Sequence, residues 1–361
     1  MNYKIVKSFL DRHRKINYIQ RCTRYINNKD FVDYVLENRG NPLFIEFECL
    51  GNFNKDKNIF IFENNDSLSG FFAIYRFMLN ALYFADRFHF LPVVNYTSKF
   101  LYAENINING TINPFEYYFD QVSDIKLSEA YSSYNVVKYK TKYNNLAEKL
   151  KVDGGYTTSE DYINSMADIT KKYIRLNKYV KPIIDKNIND ILKGKSTIGV
   201  HYRGTDFKLN FNRHPVHATL PDYIKYVEDA CENYKFEQIF LATDDSKALE
   251  LFKNTFGSKL VYYIDVTRSD KNISVAFSNS DRDQHKYLLG LEVLRDMLTL
   301  ARCDGLISGL SQVSICARIT KVSYDKSYKY LKVIDKGINN NFKNFSNYQN
   351  SHFNNDKRNE L

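Results

Sequence analysis

Three polar side chains near the middle of the chain have the types and the spacing needed to hold an anion. His201, Arg203 and Asp206 stand at the end of an apolar stretch, residues 197–202, that predicts a buried strand. The planar guanidinium of Arg203 can grip a phosphate with two parallel N–H groups, while His201 donates to the same anion and Asp206 orients the arginine. The spacing also fits an exposed ion pair, which stabilises a fold by about 1 kcal/mol at most.

Two consecutive aspartates end the next predicted strand. Asp244 and Asp245 follow residues 238–242, and carboxylates at such an edge can accept hydrogen bonds from a purine base or a ribose. The local alternative is helix capping, because Asp245 or Ser246 stands where the following helix begins. Capping explains only one member of the pair, so both interpretations stay open.

A turn of small residues precedes the last predicted helix. Ser311, Gln312 and Val313 stand where that helix begins, and the free N–H groups of a helix start bind anions without a cationic side chain. A turn of this composition is also common before helices that bind nothing. In the amino half, Gly70 and Phe71 would face this edge across a cleft if the two halves close on each other.

Several kinds of site are disfavoured by what the sequence lacks. It has neither a Walker A loop nor a complete G-x-G-x-x-G, which disfavours phosphate-loop hydrolases and standard NAD enzymes. No H-x-x-x-H is present, and we expect neither a catalytic metal nor another cofactor. The 5 cysteines have no C-x-x-C spacing and fit neither a disulfide framework nor a zinc site.

Alternating strands and helices must position these residues. In the amino half, a strand at 58–63, a helix capped by Ser67 or Ser69 and a strand at 91–95 predict a βαβ unit. Helical spacing from Tyr173 to Tyr179 predicts a helical arm within residues 128–189. The second half predicts strands at 197–202, 238–242, 259–264 and 305–308, and helices at 221–234, 246–256, 285–302 and from 309–312 through 319. This alternation is typical of a doubly wound α/β domain, which binds ligands beyond the carboxyl ends of its strands.

Charge and hydropathy bear on partners and location. The formal net charge of +9 favours anionic partners without choosing among nucleotides, nucleic acid and a membrane surface. No run of about 18 apolar residues and no secretory signal is visible, so we expect a cytoplasmic protein. The basic residues of the start, such as Lys4, Lys7 and Arg12, could rest on the inner face of the cell membrane or form a solvated helix.

Taken in order, these motifs resemble the inverting fucosyltransferases, the family of the α1,6-fucosyltransferases, NodZ and the protein O-fucosyltransferases. The first family motif is similar to His201-x-Arg203-x-x-Asp206, and the second to residues 242–245. A third region resembles residues 290–296, which end on Asp296, together with residues 311–313. In the amino half, Gly70 and residues 113–119 look like family features, so the resemblance spans residues 58–335.

The resemblance implies an α/β, GT-B-like fold with two facing Rossmann-like domains, a central cleft, GDP-fucose as donor and no required metal. It implies that Arg203 binds the β-phosphate and that Asp245 contacts guanine. It also implies that Asp244, Asp296 and residues 311–313 line the donor site, which Gly70 and Phe71 complete. The domains would be an acceptor-side domain at 1–190, a GDP-sugar domain at 191–338 and a flexible tail at 339–361.

One departure from the family concerns the catalytic base. In α1,6-fucosyltransferases a glutamate in the loop after the first motif deprotonates the acceptor, whereas residues 207–213 contain no carboxylate. Asp206, His214 or a carboxylate of the amino domain could take this role, or a base could matter little. We expect direct displacement with inversion, in which Arg203 and His201 stabilise the departing GDP.

The expected activity is transfer of fucose to a hydroxyl of a glycan, lipid-linked or free, in bacterial surface polysaccharide synthesis. One alternative is a transferase of the same fold that uses another GDP-sugar, such as a deoxyheptose. A second is a non-catalytic module that binds nucleotides or nucleic acid, although no segment concentrates a basic stripe with interleaved aromatics.

Overall fold

A computed structural model of the chain describes residues 28–37, 45–140, 155–156 and 158–344. The basic start lies outside the described residues, as do residues 141–154 of the predicted arm. Of the tail predicted at 339–361, residues 345–361 also lie outside them, whereas residues 339–344 are described and hydrogen-bond to residues 212–214. Among the described residues, no helix is both long enough and apolar enough to cross a membrane.

The amino half is built on a sheet of four strands. In chain order its elements are α1 (Lys29–Glu37), β1 (Ile45–Glu48), β2 (Ile59–Asn64), α2 (Phe71–Arg87), β3 (Leu91–Tyr96), α3 (Leu127–Ala130) and β4 (Val136–Lys140). The strand order is β1-β4-β2-β3, with β1 antiparallel to β4 and the other pairs parallel. The predicted βαβ unit is confirmed as β2-α2-β3, and β2 is buried on both faces as expected of a parallel strand between helices.

The start of α2 differs from the prediction. Gly70 is the N-cap residue and no side chain caps the helix. Asp66 instead organises the preceding turn, because its carboxylate accepts the N–H groups of Leu68 at 2.8 Å and Ser69 at 3.0 Å. The Ser69 hydroxyl donates to the same carboxylate at 2.6 Å, so capping of the helix by Ser67 or Ser69 was wrong.

The predicted helical arm is two helices with an extended break. They are α4 (Glu160–Tyr173) and α5 (Val180–Leu192). Between them Ile174 is extended and Leu176 bridges to Phe119, so the helical spacing seen through Tyr179 was misleading. Asn177 starts α5 by accepting the N–H group of Val180 at 2.9 Å. The strand β4 was not predicted, although it lies inside the sheet.

The carboxyl half is a wholly parallel sheet of five strands. Its elements are β5 (Thr197–Tyr202), α6 (Leu220–Tyr234), β6 (Gln238–Thr243), α7 (Ser246–Phe256), β7 (Leu260–Val261), α8 (His285–Arg302), β8 (Gly305–Gly309), α9 (Gln312–Ser323) and β9 (Tyr330–Ile334). The predicted elements are present, with β7 shorter than expected and β9 additional. The strand order is β7-β6-β5-β8-β9, so the winding direction reverses between β5 and β8. Ligands of doubly wound sheets bind at such a reversal point.

The two halves pack against each other through α4 and α9. Glu160 of α4 accepts a hydrogen bond from Arg318 of α9 at 2.6 Å, and the Tyr118 hydroxyl donates to the carbonyl of Tyr287 at 2.9 Å. One hydrophobic cluster runs through both halves, from Phe31 to Ile319. The fold is thus α/β and GT-B-like, with two Rossmann-like sheets facing each other across a cleft.

Candidate functional site

A cavity of about 300 Å³ lies between the two halves at the carboxyl ends of β5 and β8. The lining includes every residue predicted for the site except Asp245, namely Gly70, Phe71, His201, Arg203, Asp206, His214, Asp244, Asp296, Ser311, Gln312 and Val313. The reversal of strand order therefore brings together the three motifs of the carboxyl half, and the start of α2 closes the cavity from the opposite side.

Arg203 is held in one orientation by three side chains. Its guanidinium donates to Asp206 at 2.6 Å and to the Ser274 hydroxyl at 3.0 Å, and it also pairs with Asp244. Burial disfavours its charge, but the carboxylates of Asp206 and Asp244 outweigh this effect and raise the pKa of Arg203 above its usual value. The arginine thus presents a fixed, permanent positive charge to the cavity.

The two consecutive aspartates have different roles. Asp244 accepts the N–H group of Gly204 at 2.9 Å and the Thr205 hydroxyl at 2.7 Å, so it fixes the turn that carries Arg203. Asp245 caps α7 by accepting the N–H group of Lys247 at 2.9 Å, and its other oxygen pairs with Lys208. The structure therefore places Asp244, and not Asp245, at the cavity.

His201 and Ser311 join the ends of the two central strands. The Ser311 hydroxyl and His201 Nδ1 lie 3.1 Å apart, within hydrogen-bond distance. Burial lowers the pKa of His201 to about 4, so its imidazole is neutral at pH 7 and acts through hydrogen bonds. Ser311 also caps α9 by accepting the N–H group of Ser314 at 3.1 Å. The first turn of this helix faces the cavity through Gln312 and Val313.

A buried arginine of the amino half fixes the start of α9. Arg76 lies on α2 and donates to the side-chain oxygen of Gln312 and, at 3.1 Å, to the Tyr162 hydroxyl. Gln312 in turn donates to the carbonyl of Gly155 at 3.0 Å. Sequence reasoning missed Arg76. The one signal in the sequence was that Arg76 is a charged residue among the apolar residues of the predicted helix.

Two acids of α8 line the cavity. Burial raises the pKa of Asp296 to about 7, against the opposing effect of Arg295 and Arg268, and no described residue hydrogen-bonds to its carboxyl group. Glu292 is fully engaged, because it pairs with Arg282 and accepts the N–H group of Thr267 at 2.8 Å. Asp296 is thus available to a ligand, whereas Glu292 ties the 266–284 segment to the cavity wall.

Three aromatic rings form a rim on the side of Arg203. The ring centroids of Phe207 and His214 lie 5.7 Å apart, and Tyr156 is 6.1 Å from His214. Burial lowers the pKa of His214, so this imidazole is also neutral at pH 7. We call Tyr156, Phe207 and His214 the aromatic rim. Tyr156 and Phe207 were not predicted, and single tyrosines and phenylalanines give no signal in a chain with 29 Tyr and 26 Phe.

Comparisons with known proteins give likenesses in structure only. No family model matches the sequence, and no curated protein matches it. Similar solved structures include NodZ α-1,6-fucosyltransferase soaked with GDP-fucose, with 17% identity, 73% of this chain and 93% of that chain covered, and a TM-score of 0.48. Fucosyltransferase NodZ from Bradyrhizobium has 17% identity, the same two coverages and a TM-score of 0.46. POFUT1 in complex with GDP-fucose has 11% identity, coverages of 79% and 99%, and a TM-score of 0.44. Likenesses of this size assign the chain to no family.

The geometry separates the candidate bases. Asp206 is buried, and its carboxylate accepts a hydrogen bond from Arg203 at 2.6 Å, so it serves to orient the guanidinium of Arg203. His214 lies at the cavity with a neutral imidazole that can accept a proton. Within the described ranges, no group of three or more His, Cys, Asp or Glu could hold a metal ion. Metal independence stays a prediction.

Proposed function

We propose that this chain is an inverting glycosyltransferase that moves fucose from GDP-fucose to a hydroxyl group of a glycan, without a metal ion. The observation that carries the proposal is the cavity at the reversal point, where Arg203, the start of α9 and the available acid Asp296 converge. A cationic fork and a helix start suit a diphosphate, and a carboxylate suits the N–H groups of a guanine base. The choice of fucose as the transferred sugar rests on the sequence motifs.

Leaving-group stabilisation is assigned to Arg203. Negative charge grows on the β-phosphate oxygen as its bond to the anomeric carbon breaks, and GDP leaves with the electron pair. Because Asp206, Asp244 and Ser274 fix the guanidinium beforehand, no reorganisation is needed at the moment of transfer. Loss of one such donor raises the barrier by about 2.7–4 kcal/mol. His201 and the N–H groups that begin α9 act on the same charge.

Acceptor activation is assigned to His214. The acceptor oxygen forms its bond to the anomeric carbon on the face opposite the phosphate, which inverts the configuration. The acceptor proton passes to the imidazole of His214, which burial keeps neutral and therefore able to accept it. The aromatic rim offers flat apolar faces on which a sugar ring can stack.

We place the reaction in bacterial surface polysaccharide synthesis, with a glycan carried on a lipid as acceptor. The net charge of +9 agrees with a lipid carrier, since a basic protein is drawn to an anionic membrane surface, and it agrees equally with a nucleotide donor.

Titration calorimetry with GDP, GDP-fucose, a second GDP-sugar and UDP-glucose tests the proposal. The wild type should bind the guanine nucleotides and not UDP-glucose. Arg203→Ala should retain less than a tenth of wild-type turnover of GDP-fucose, because it removes the fixed charge at the leaving group. Arg175→Ala is the matched control, since Arg175 is exposed and does not line the cavity.

Three results would contradict the proposal. If Arg203→Ala kept more than a tenth of the wild-type turnover, Arg203 would not be the residue that stabilises the leaving group. If the wild type preferred another GDP-sugar to GDP-fucose, that sugar nucleotide would be the donor. Salt-dependent binding of RNA without affinity for GDP would instead indicate the non-catalytic module.

A further inference from the structure

The chain after β9 runs back along the loop that follows β5. Residues 335–344, which we call the carboxyl-terminal strap, begin the segment beyond the last strand. The strap bonds to the loop through the backbone, with Val216 N donating to Gly337 O at 2.8 Å and Arg213 N to Asn339 O at 2.9 Å. Asn212 N donates to Lys343 O at 2.8 Å. The strap thus adds an irregular antiparallel partner to the loop.

Asn339 makes the densest contacts of the strap. Its side-chain amide donates to the carbonyls of His214 at 3.1 Å and Pro215 at 3.0 Å. Its backbone N–H donates to the His214 carbonyl as well, at 2.8 Å. One asparagine therefore holds the main chain of His214 and the next residue from outside the cavity.

The loop needs such support because of its own backbone. Asn210 has φ 51° and Arg213 has φ 61°, a left-handed conformation that asparagine tolerates and that arginine rarely adopts. Strained backbone of this kind persists only where the surrounding structure enforces it. The strap braces the strained position directly, because Arg213 N donates to Asn339 O at 2.9 Å. The side-chain amide of Asn341 also donates to Asn210 O at 2.7 Å.

We infer that Asn339 is a positioning residue for sugar transfer, which holds the imidazole of His214 at the cavity by fixing the backbone of His214 and Pro215. This inference rests on the proposed function. It concerns the residue assigned to acceptor activation, because Asn339 contacts the backbone of His214 and does not itself line the cavity.

The test compares two neighbouring asparagines. Asn339→Asp keeps the shape of the side chain and removes both amide donations, whereas Asn340→Asp makes the same change at an exposed position. With GDP-fucose as the probe and water as acceptor, Asn339→Asp should lower hydrolysis at least tenfold and leave the Kd for GDP within twofold. Hydrogen exchange at the amides of Arg213 and Val216 should quicken at least tenfold in that variant. Asn340→Asp should change none of these quantities, and Asn339→Gln, which keeps an amide donor, should recover part of the hydrolysis.

Unchanged exchange at these amides in Asn339→Asp would overturn the inference, as would an equal loss of GDP affinity and hydrolysis. A wild type that neither binds GDP nor consumes GDP-fucose would instead contradict the proposed function. The exchange comparison would then still decide whether Asn339 holds the loop.

Discussion

Two buried titratable side chains of the cavity, His201 and Asp296, have pKa values displaced in opposite directions by the same cause. Burial lowers the pKa of His201 from 6.5 to about 4 and raises that of Asp296 from 3.8 to about 7. The histidine makes the folded state more stable as pH rises from 4 to 6.5, and the aspartate makes it less stable as pH rises from 3.8 to 7. Between pH 4 and 6.5 the two slopes oppose each other in the wild type, so a substitution is needed to separate them.

Asp296→Asn should stabilise the protein at alkaline pH and weaken its binding of GDP. The raised pKa means that the stability present below pH 3.8 is lost as pH rises through 7. Replacing the acid by a neutral amide should therefore raise the free energy of unfolding at pH 8 by up to about 4 kcal/mol. The gain should vanish near pH 4. Urea unfolding at both pH values measures it, and calorimetry should give at least a tenfold weaker Kd for GDP. A stability difference that is the same at pH 4 and pH 8 would contradict the assigned pKa.

At the scale of elements, local patterns predicted the carboxyl half well. Caps such as Asp245 and Ser311 stand beside the helices that they begin, and each strand there is a short apolar run between turns. The amino half was harder, because the break at Ile174 and the position of β4 depend on partners elsewhere in the fold. The edge that collects Arg203, Asp244 and Ser311 was predictable from the strand ends. Arg76 and Asn339 were not, since their partners lie 236 and 125 residues away in sequence.

Gly204→Ala should damage both the fold and the site through the turn after β5. A Cβ atom at this position would lie 2.4 Å from the ring of Tyr202 and 2.5 Å from the Asp245 carboxylate. Overpacking of this kind lowers the free energy of unfolding by about 1–3 kcal/mol, and the shifted turn should also weaken GDP binding. Gly70→Ala is the comparison in urea unfolding, because no atom lies within 4 Å of its added Cβ and only the loss of the N-cap glycine of α2 should lower its stability. Equal stability of the two variants would show that the turn has room to adjust.

At the scale of the whole molecule, the two halves share one hydrophobic core and both line the cavity. Arg76 connects the core to the cavity, because it is buried in the amino half and donates a hydrogen bond to Gln312 at the start of α9. A hinge between the halves would have to break this contact. The cleft is therefore expected to keep its width when a nucleotide binds.

Arg76→Met should disconnect the amino half from the start of α9. Loss of a hydrogen bond from a charged donor is worth about 1.5–3 kcal/mol, so GDP should bind at least tenfold more weakly. Arg87→Met is the matched control, since Arg87 ends the same helix and is exposed. Calorimetry with GDP measures both variants. Equal affinities would mean that Gln312 keeps its position without the arginine.

The carboxyl-terminal strap also has a consequence for how the protein is made. Synthesis runs from the amino end, and the strap residue that holds His214 follows it by 125 residues. At about 5–20 residues per second, the loop waits about 6–25 s on the ribosome for the segment that fixes it. During that interval β5 and β6 can already pair, while the loop after β5 still lacks its hydrogen bonds to the strap. Each new molecule therefore pairs the strands that end beside Arg203 and Asp244 first and fixes the loop of His214 last.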